Sequence, residues 1–190
     1  MKATSQTPVD GRKRNFLTEL EVRQLLDSAR RGRHGIRDYL MVLLTYRHGL
    51  RVSELVDLRL RDLDLDTFRV HVRRRKGSLS TIQPIEGDEV RAIRAYLRER
   101  GSTKLPYLLV SERGPFTRQA VNYLFKEIGQ RAKLEMNVHP HMLRHSTGYY
   151  LANKGYDTRL IQDYLGHKNI NHTVKYTRTA ASRFEGLWRC

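Results

Sequence analysis

Cysteine is all but missing from the chain: one residue in 190, Cys190, and it is the last. That excludes an intrachain disulfide and a cysteine-based metal site. Long apolar runs are missing as well. None approaches the roughly 18 residues that span a bilayer, and the amino terminus lacks the apolar stretch of a secretory signal. The expected compartment is therefore the cytoplasm. Acidic residues are scarce beside basic ones, 20 against 36, for a formal charge of +16 and a pI near 10.4. Such an excess does not suit an enzyme for neutral small molecules. It implies a polyanionic partner, nucleic acid before anything else. An anionic membrane fits less well, because the cations are spread along the chain rather than gathered on one amphipathic helix.

A length of 190 residues suits one domain, or a domain with a short arm, that buries a sizeable core. Residues 1–15 are polar and include Gly11-Arg12-Lys13-Arg14, which reads as a basic arm ahead of a domain spanning 16–190. Thr18 and Glu21 form a capping box before the apolar positions Val22, Leu25, Leu26 and Ala29, spaced as on one helix face. A second helix, about Ile36 to His48, is apolar around most of its circumference and should be central to the core. Gly49 ends it, and Ser53 should cap a short helix through Asp57. Phe68, Val70 and Val72 alternate with Arg69, His71 and Arg73, the period of a strand with one basic face. A turn at Gly77-Ser78 returns the chain along Leu79 to Ile85. Helices follow around Val90–Leu97 and Val121–Ile128. Another starts at Pro140, whose fixed φ suits a first helical position, and a shorter one runs from Thr158 to Leu165 before Gly166. The expected fold is α+β and mainly α, with helices around one small antiparallel sheet.

The chemistry is concentrated near the carboxyl end. His141 and Arg144 stand three apart on a predicted helix and share one side of it. His167 follows Gly166 at another helix end, and Tyr176 lies nine positions beyond it. Far upstream, Arg51 follows the helix-ending Gly49, with Glu54 placed to orient its guanidinium. Arginine suits both positions because its planar fork matches phosphate oxygens and stays charged. Each residue alone is weak evidence, since a His-x-x-Arg pair is commonly a solvated face and any of ten tyrosines is commonly a packing residue. Together they can hold a phosphodiester and attack it with a phenolic oxygen. No metal and no cofactor are expected.

Gly49-Leu50-Arg51-Val52-Ser53-Glu54-Leu55, His141-Met142-Leu143-Arg144-His145, Leu165-Gly166-His167 and Thr173-Val174-Lys175-Tyr176 resemble, in order and spacing, the signature of the tyrosine recombinases, the integrase family. The wording of 139–146 and 157–167 is similar to that of the short fimbrial phase-variation invertases. The resemblance implies that Arg51, His141, Arg144 and His167 surround a scissile phosphate and that Tyr176 is the nucleophile. It matches the family's catalytic lysine to Lys76. It implies that Arg51 and Arg144 bind the non-bridging oxygens, His141 takes the phenol proton and Lys76 protonates the leaving 5′ oxygen. His139 and His145 are expected as capping or supporting groups, and Tyr149, Tyr150 and Tyr164 as packing residues.

The family's separate core-binding domain has no counterpart in this sequence. Implied partners are double-stranded DNA carrying inverted repeats, further copies of the chain in a tetramer on paired sites, and accessory DNA-bending proteins. The apolar Phe184, Leu187 and Trp188 are expected to join protomers. The rival expectation is a DNA-binding transcriptional regulator without catalysis, which accounts for the charge but not for the ordered set of reactive side chains.

Overall fold

The computed structural model describes residues 14–74 and 78–178. The arm up to residue 13, Lys76 with Gly77, and the segment bearing Phe184, Leu187 and Trp188 lie outside the described residues.

Helix α1 (Glu19–Arg30) begins where the capping box predicts. The Glu21 N–H donates to the Thr18 hydroxyl at 3.3 Å, and the Thr18 N–H donates to the Glu21 carboxylate at 2.7 Å. Arg14, read as part of the arm, instead pairs with Glu21 at 2.5 Å. Helix α2 (Gly35–Arg47) carries the uninterrupted buried run Leu40 to Thr45 and packs against α1 and two later helices, α4 (Gly87–Arg100) and α6 (Pro140–Asn153). A segment apolar on every side can only sit inside such a ring of neighbours. Helix α3 (Val52–Asp57) starts one residue before the expected cap at Ser53. Arg51 is its cap residue, because the Glu54 carboxylate, one turn in, accepts from the Arg51 N–H at 2.8 Å.

Three strands, β1 (Leu63–Asp64), β2 (Arg69–Val72) and β3 (Thr81–Pro84), form an antiparallel sheet in that order. The β2–β3 hairpin matches the expected one, whereas β1 is too short to show a period. Val70 and Val72 face inward and Arg69 and His71 outward. Phe68, expected in line with the valines, precedes the strand with φ 54 and is exposed; a left-handed backbone there breaks the alternation. On β3 the polarity is inverted, with Ile82 exposed and Gln83 buried. Gln83 is spent on structure: its Oε1 lies 2.8 Å from Nδ1 of the buried His48, and its Nε2 donates to the Tyr164 carbonyl at 2.9 Å. The other His48 nitrogen lies 2.9 Å from the Glu89 carboxylate on α4. A two-stranded hairpin that the sequence did not announce, β4 (Val110–Ser111) with β5 (Gly114–Pro115), follows α4.

Helix α5 (Arg118–Arg131) adds Val121, Phe125 and Ile128 to the main core. Helix α6 has Pro140 in its first turn. Helix α7 (Thr158–Leu165) is capped by the Asp157 carboxylate and stopped by Gly166 in the left-handed conformation. Helix α8 (Asn171–Arg178) carries Tyr176. The last three helices close on a second apolar cluster of Ala152, Ile161, Leu165 and Tyr176. No helix among the described residues is long and apolar enough to cross a membrane.

Candidate active site

Gly49 sets the floor of the site. Its φ of +56 turns the chain between α2 and α3, and a Cβ there would lie 2.4 Å from the Leu165 side chain. Glycine is therefore needed both for the turn and for the approach of α7. The turn leaves the Gly49 carbonyl pointing at α6, where Arg144 donates to it at 2.5 Å and to the Leu165 carbonyl at 2.6 Å. Arg144 is fully buried. One guanidinium thus ties together the turn bearing Arg51 and the turn bearing His167.

Arg51 donates to Glu54 Oε1 at 2.7 Å and keeps about a third of its side chain exposed. A further arginine, Arg74, hydrogen-bonds the other Glu54 oxygen and reaches the carbonyls of Gly49 at 3.4 Å, His48 at 3.1 Å and Tyr164 at 3.0 Å. Its side chain is wholly buried. A signal for it lies in the strand period, since the inward positions Val70 and Val72 continue by twos to residue 74. Arg51 and Arg74 therefore share the Glu54 carboxylate, while Arg144 is bonded only to carbonyls among the described residues. Burial lowers the pKa of Arg144 from its ordinary value, and the charges of Arg74 and Arg51 lower it further; an arginine has enough margin to remain cationic at neutral pH. The site carries a cationic excess that an anion would relieve.

The imidazoles gather around this charge. His141 is exposed on the first turn of α6, and its ring lies 4.4 Å from that of His145. Burial lowers its pKa, with Arg144, His139, Lys175 and Arg51 adding to the effect. Nδ1 of His167 lies 2.8 Å from the Thr173 hydroxyl, and burial, then Arg144 and Arg51, takes its pKa down to about 3. Both rings are neutral at pH 7. The Tyr176 ring stacks with that of His167, centroids 6.2 Å apart, and its hydroxyl lies 2.7 Å from Nδ1 of His145. Burial pushes the phenol pKa up while Arg144 opposes the rise.

Arg51, His141, Arg144, His167 and Tyr176 thus come together from four helices or their ends. Lys76 lies outside the described residues; Arg74, two positions before it, is anchored in the site. Two departures stand out. The group bonded to the phenol is His145, expected only as a supporting residue, and not His141. Tyr176 is 1% exposed, so its ring belongs to the core as much as to the site.

The family described as "Phage integrase family" matches residues 15–183. The type 1 fimbriae regulatory protein FimE of Escherichia coli strain K12 is 46% identical over 181 residues, covering 93% of this chain and 91% of that protein. FimB of the same strain is 45% identical over 183 residues, covering 94% and 92%. Among solved structures, a crystal structure of XerA recombinase superimposes with a TM-score of 0.78 at 31% identity, over 89% of this chain. The chain spans 62% of that recombinase's length.

Proposed function

This chain belongs to the phage integrase family, and on that premise we propose that it is a site-specific tyrosine recombinase that cuts and rejoins double-stranded DNA. The observation that carries the reading is the gathering of Arg51, Arg74 and Arg144 at one turn, where Glu54 is bonded to Arg51 and Arg74 and Arg144 is held by the Gly49 and Leu165 carbonyls. Two of the three cations are buried, and a buried positive excess is costly unless an anion completes it. A phosphodiester in front of Arg51 and Arg144 supplies that charge.

Arg51 and Arg144 hold the two non-bridging oxygens and stabilise the charge that grows in the pentavalent transition state. Arg144 has donors to spare, since two carbonyls occupy only part of its five N–H groups. With the Thr173 hydroxyl donating to Nδ1, neutral His167 presents an N–H at Nε2 for a phosphate oxygen. A bond forms between the Tyr176 oxygen and phosphorus while the bond from phosphorus to the 5′ oxygen breaks. The phenol proton passes to neutral His141, and Lys76 protonates the departing oxygen. The products are a 3′-phosphotyrosyl link and a 5′ hydroxyl. The link keeps the energy of the broken bond, so another strand's 5′ hydroxyl can reverse it without an added energy source.

The similarity to two fimbriae regulatory proteins over about nine tenths of their length favours inversion of a DNA segment that controls a promoter. Exchange requires two duplexes, hence a tetramer of this chain on paired inverted repeats, with DNA-bending proteins as helpers and the Phe184–Trp188 segment as the joint. The place of action is the nucleoid. A supercoiled plasmid carrying the gene's flanking repeats in inverted orientation tests this. Inversion of the intervening segment is expected. Relaxation without relinking would make the protein a topoisomerase, and binding without a covalent adduct would make it a regulator.

A further inference from the structure

Tyr176 is held more tightly than a reactive side chain needs to be. Its ring lies flat on α6, and Gly148 makes that possible. A Cβ at 148 would come within 2.5 Å of Cε2 and 2.8 Å of Cζ of the phenol ring. Tyr149 stands edge-on at 5.0 Å between centroids, and Ala152, Ile161 and Leu165 complete the wall. At one end of this slot, one turn before Gly148, the phenol oxygen meets Nδ1 of His145 at 2.7 Å.

The protonation state of His145 decides what that contact is. A protonated ring would donate from Nδ1 and occupy the lone pair that the phenol oxygen needs for attack. A neutral ring with its hydrogen on Nε2 accepts from the phenol and leaves the lone pairs free. Burial lowers the His145 pKa to about 3. Lys175 of α8, His141 and Arg144 of α6, and His139 just before α6 all add to the effect. Among the described residues no carboxylate pairs with it. A ring this weakly basic accepts a hydrogen bond without removing the proton, so the phenol stays intact until a phosphate arrives.

We propose that His145 is the positioning residue of the nucleophile: its Nδ1 accepts a hydrogen bond from the Tyr176 hydroxyl and, with the slot that Gly148 opens, fixes where the phenol oxygen stands relative to the phosphate. This deepens the recombinase reading and rests on it. The bond sets the torsion of the O–H and the height of the ring on α6, the two freedoms a buried tyrosine retains. It also explains the adjacent Arg144-His145 pair: one residue binds the phosphate while the next holds the oxygen that attacks it.

Single-turnover cleavage of a nicked suicide duplex by saturating protein tests the assignment, with thermal unfolding and duplex Kd measured on each variant. His145→Leu keeps bulk without an acceptor. His145→Asn returns an acceptor, since its Oδ1 is as many bonds from Cβ as Nδ1 is. Losing one hydrogen bond of ordinary strength should slow cleavage about tenfold in the Leu variant with Kd unchanged, and Asn should restore most of the rate. Both variants at wild-type rate, both equally slow, or a Leu variant faster than wild type would each overturn the proposal. If the Leu variant does not fold, the ¹⁵N resonance of His145 Nδ1 in the wild-type chain decides. It should lie in the range of an unprotonated nitrogen and move on Tyr176→Phe; a protonated Nδ1, or no movement, would overturn the assignment. A wild-type chain that forms no adduct contradicts the recombinase reading instead, and the resonance still tests the bond.

Discussion

Arg144 donates to the carbonyl of Gly49 at 2.5 Å, a contact across 95 positions of sequence. The carbonyl belongs to the turn that presents Arg51, and the guanidinium belongs to the helix that presents His141 and His145. Tertiary closure thus rests on a side chain that the proposed mechanism also sets against the phosphate. Glu54 likewise has several tasks in one side chain: it caps α3, orients Arg51 and neutralises Arg74.

That sharing makes Glu54 the weak point of the fold. Glu54→Gln leaves Arg74 buried with only carbonyl partners. Breaking a buried ion pair from one side costs about 3 kcal/mol or more, and urea denaturation should show a loss of that order. Replacing Arg74 by Met in the same chain should recover part of it, because the orphaned charge is then gone. A loss under about 0.5 kcal/mol would mean that the pair does not carry the turn.

Gly148→Ala sets two effects against each other. Alanine gains about 1 kcal/mol over glycine in a helix interior. Here its methyl would collide with the buried Tyr176 ring at 2.5 Å, and overpacking of a core costs about 1–3 kcal/mol. The collision should win, lowering stability and slowing adduct formation with little change in DNA affinity. A more stable Ala variant with wild-type cleavage would show that the slot is not needed.

Acid should unfold the protein earlier than its carboxylates alone require. His145 and His167 have folded pKa values of about 3, against about 6.5 unfolded. Below pH 6.5 the unfolded chain binds protons that the folded chain refuses, so stability is full above that value and falls as pH drops toward 3. The slope approaches about 1.4 kcal/mol per pH unit for a buried imidazole, and less for the partly exposed His167. Denaturant titrations at pH 7 and pH 5 should differ by roughly 2–3 kcal/mol, and His145→Asn should shrink the difference. Equal stability at the two pH values would contradict the neutral, buried state of these rings.

Lys76→Ala should impair cleavage of an ordinary duplex and recover on a 5′-bridging phosphorothiolate, whose sulfur leaves without needing a proton. Failure to recover would move the acid to another residue, though not to Arg75, whose proton is held too firmly to be donated.

Helix boundaries were legible in the sequence wherever caps and stops are chemically distinct, as at Thr18 with Glu21, at Gly49 and at Gly166. The candidate site residues could be picked out because Arg51, the His141–Arg144 pair, His167 and Tyr176 stand in the order and spacing that the family resemblance requires. What stayed hidden depends on long-range packing. Arg74 reads as one of a basic run until the strand period is carried past Val72. Gly148 is an unremarked glycine within a helix until a ring from α8 lies against it. His145 looks like a flank to Arg144, since only the fold brings Tyr176 to its Nδ1. The exposed Ile82 and buried Gln83 reverse the usual polarity, because the position opposite Val70 is claimed by His48 and the Tyr164 carbonyl.

The most direct measurement is to trap the protein on a nicked suicide duplex, digest the adduct and identify the modified residue and the DNA end by mass spectrometry. The account predicts a 3′-phosphate joined to Tyr176, and no adduct from Tyr176→Phe although that variant still binds the duplex. A link to Tyr149, Tyr150 or Tyr164, a bond to a 5′ end, or an adduct that survives Tyr176→Phe would contradict it.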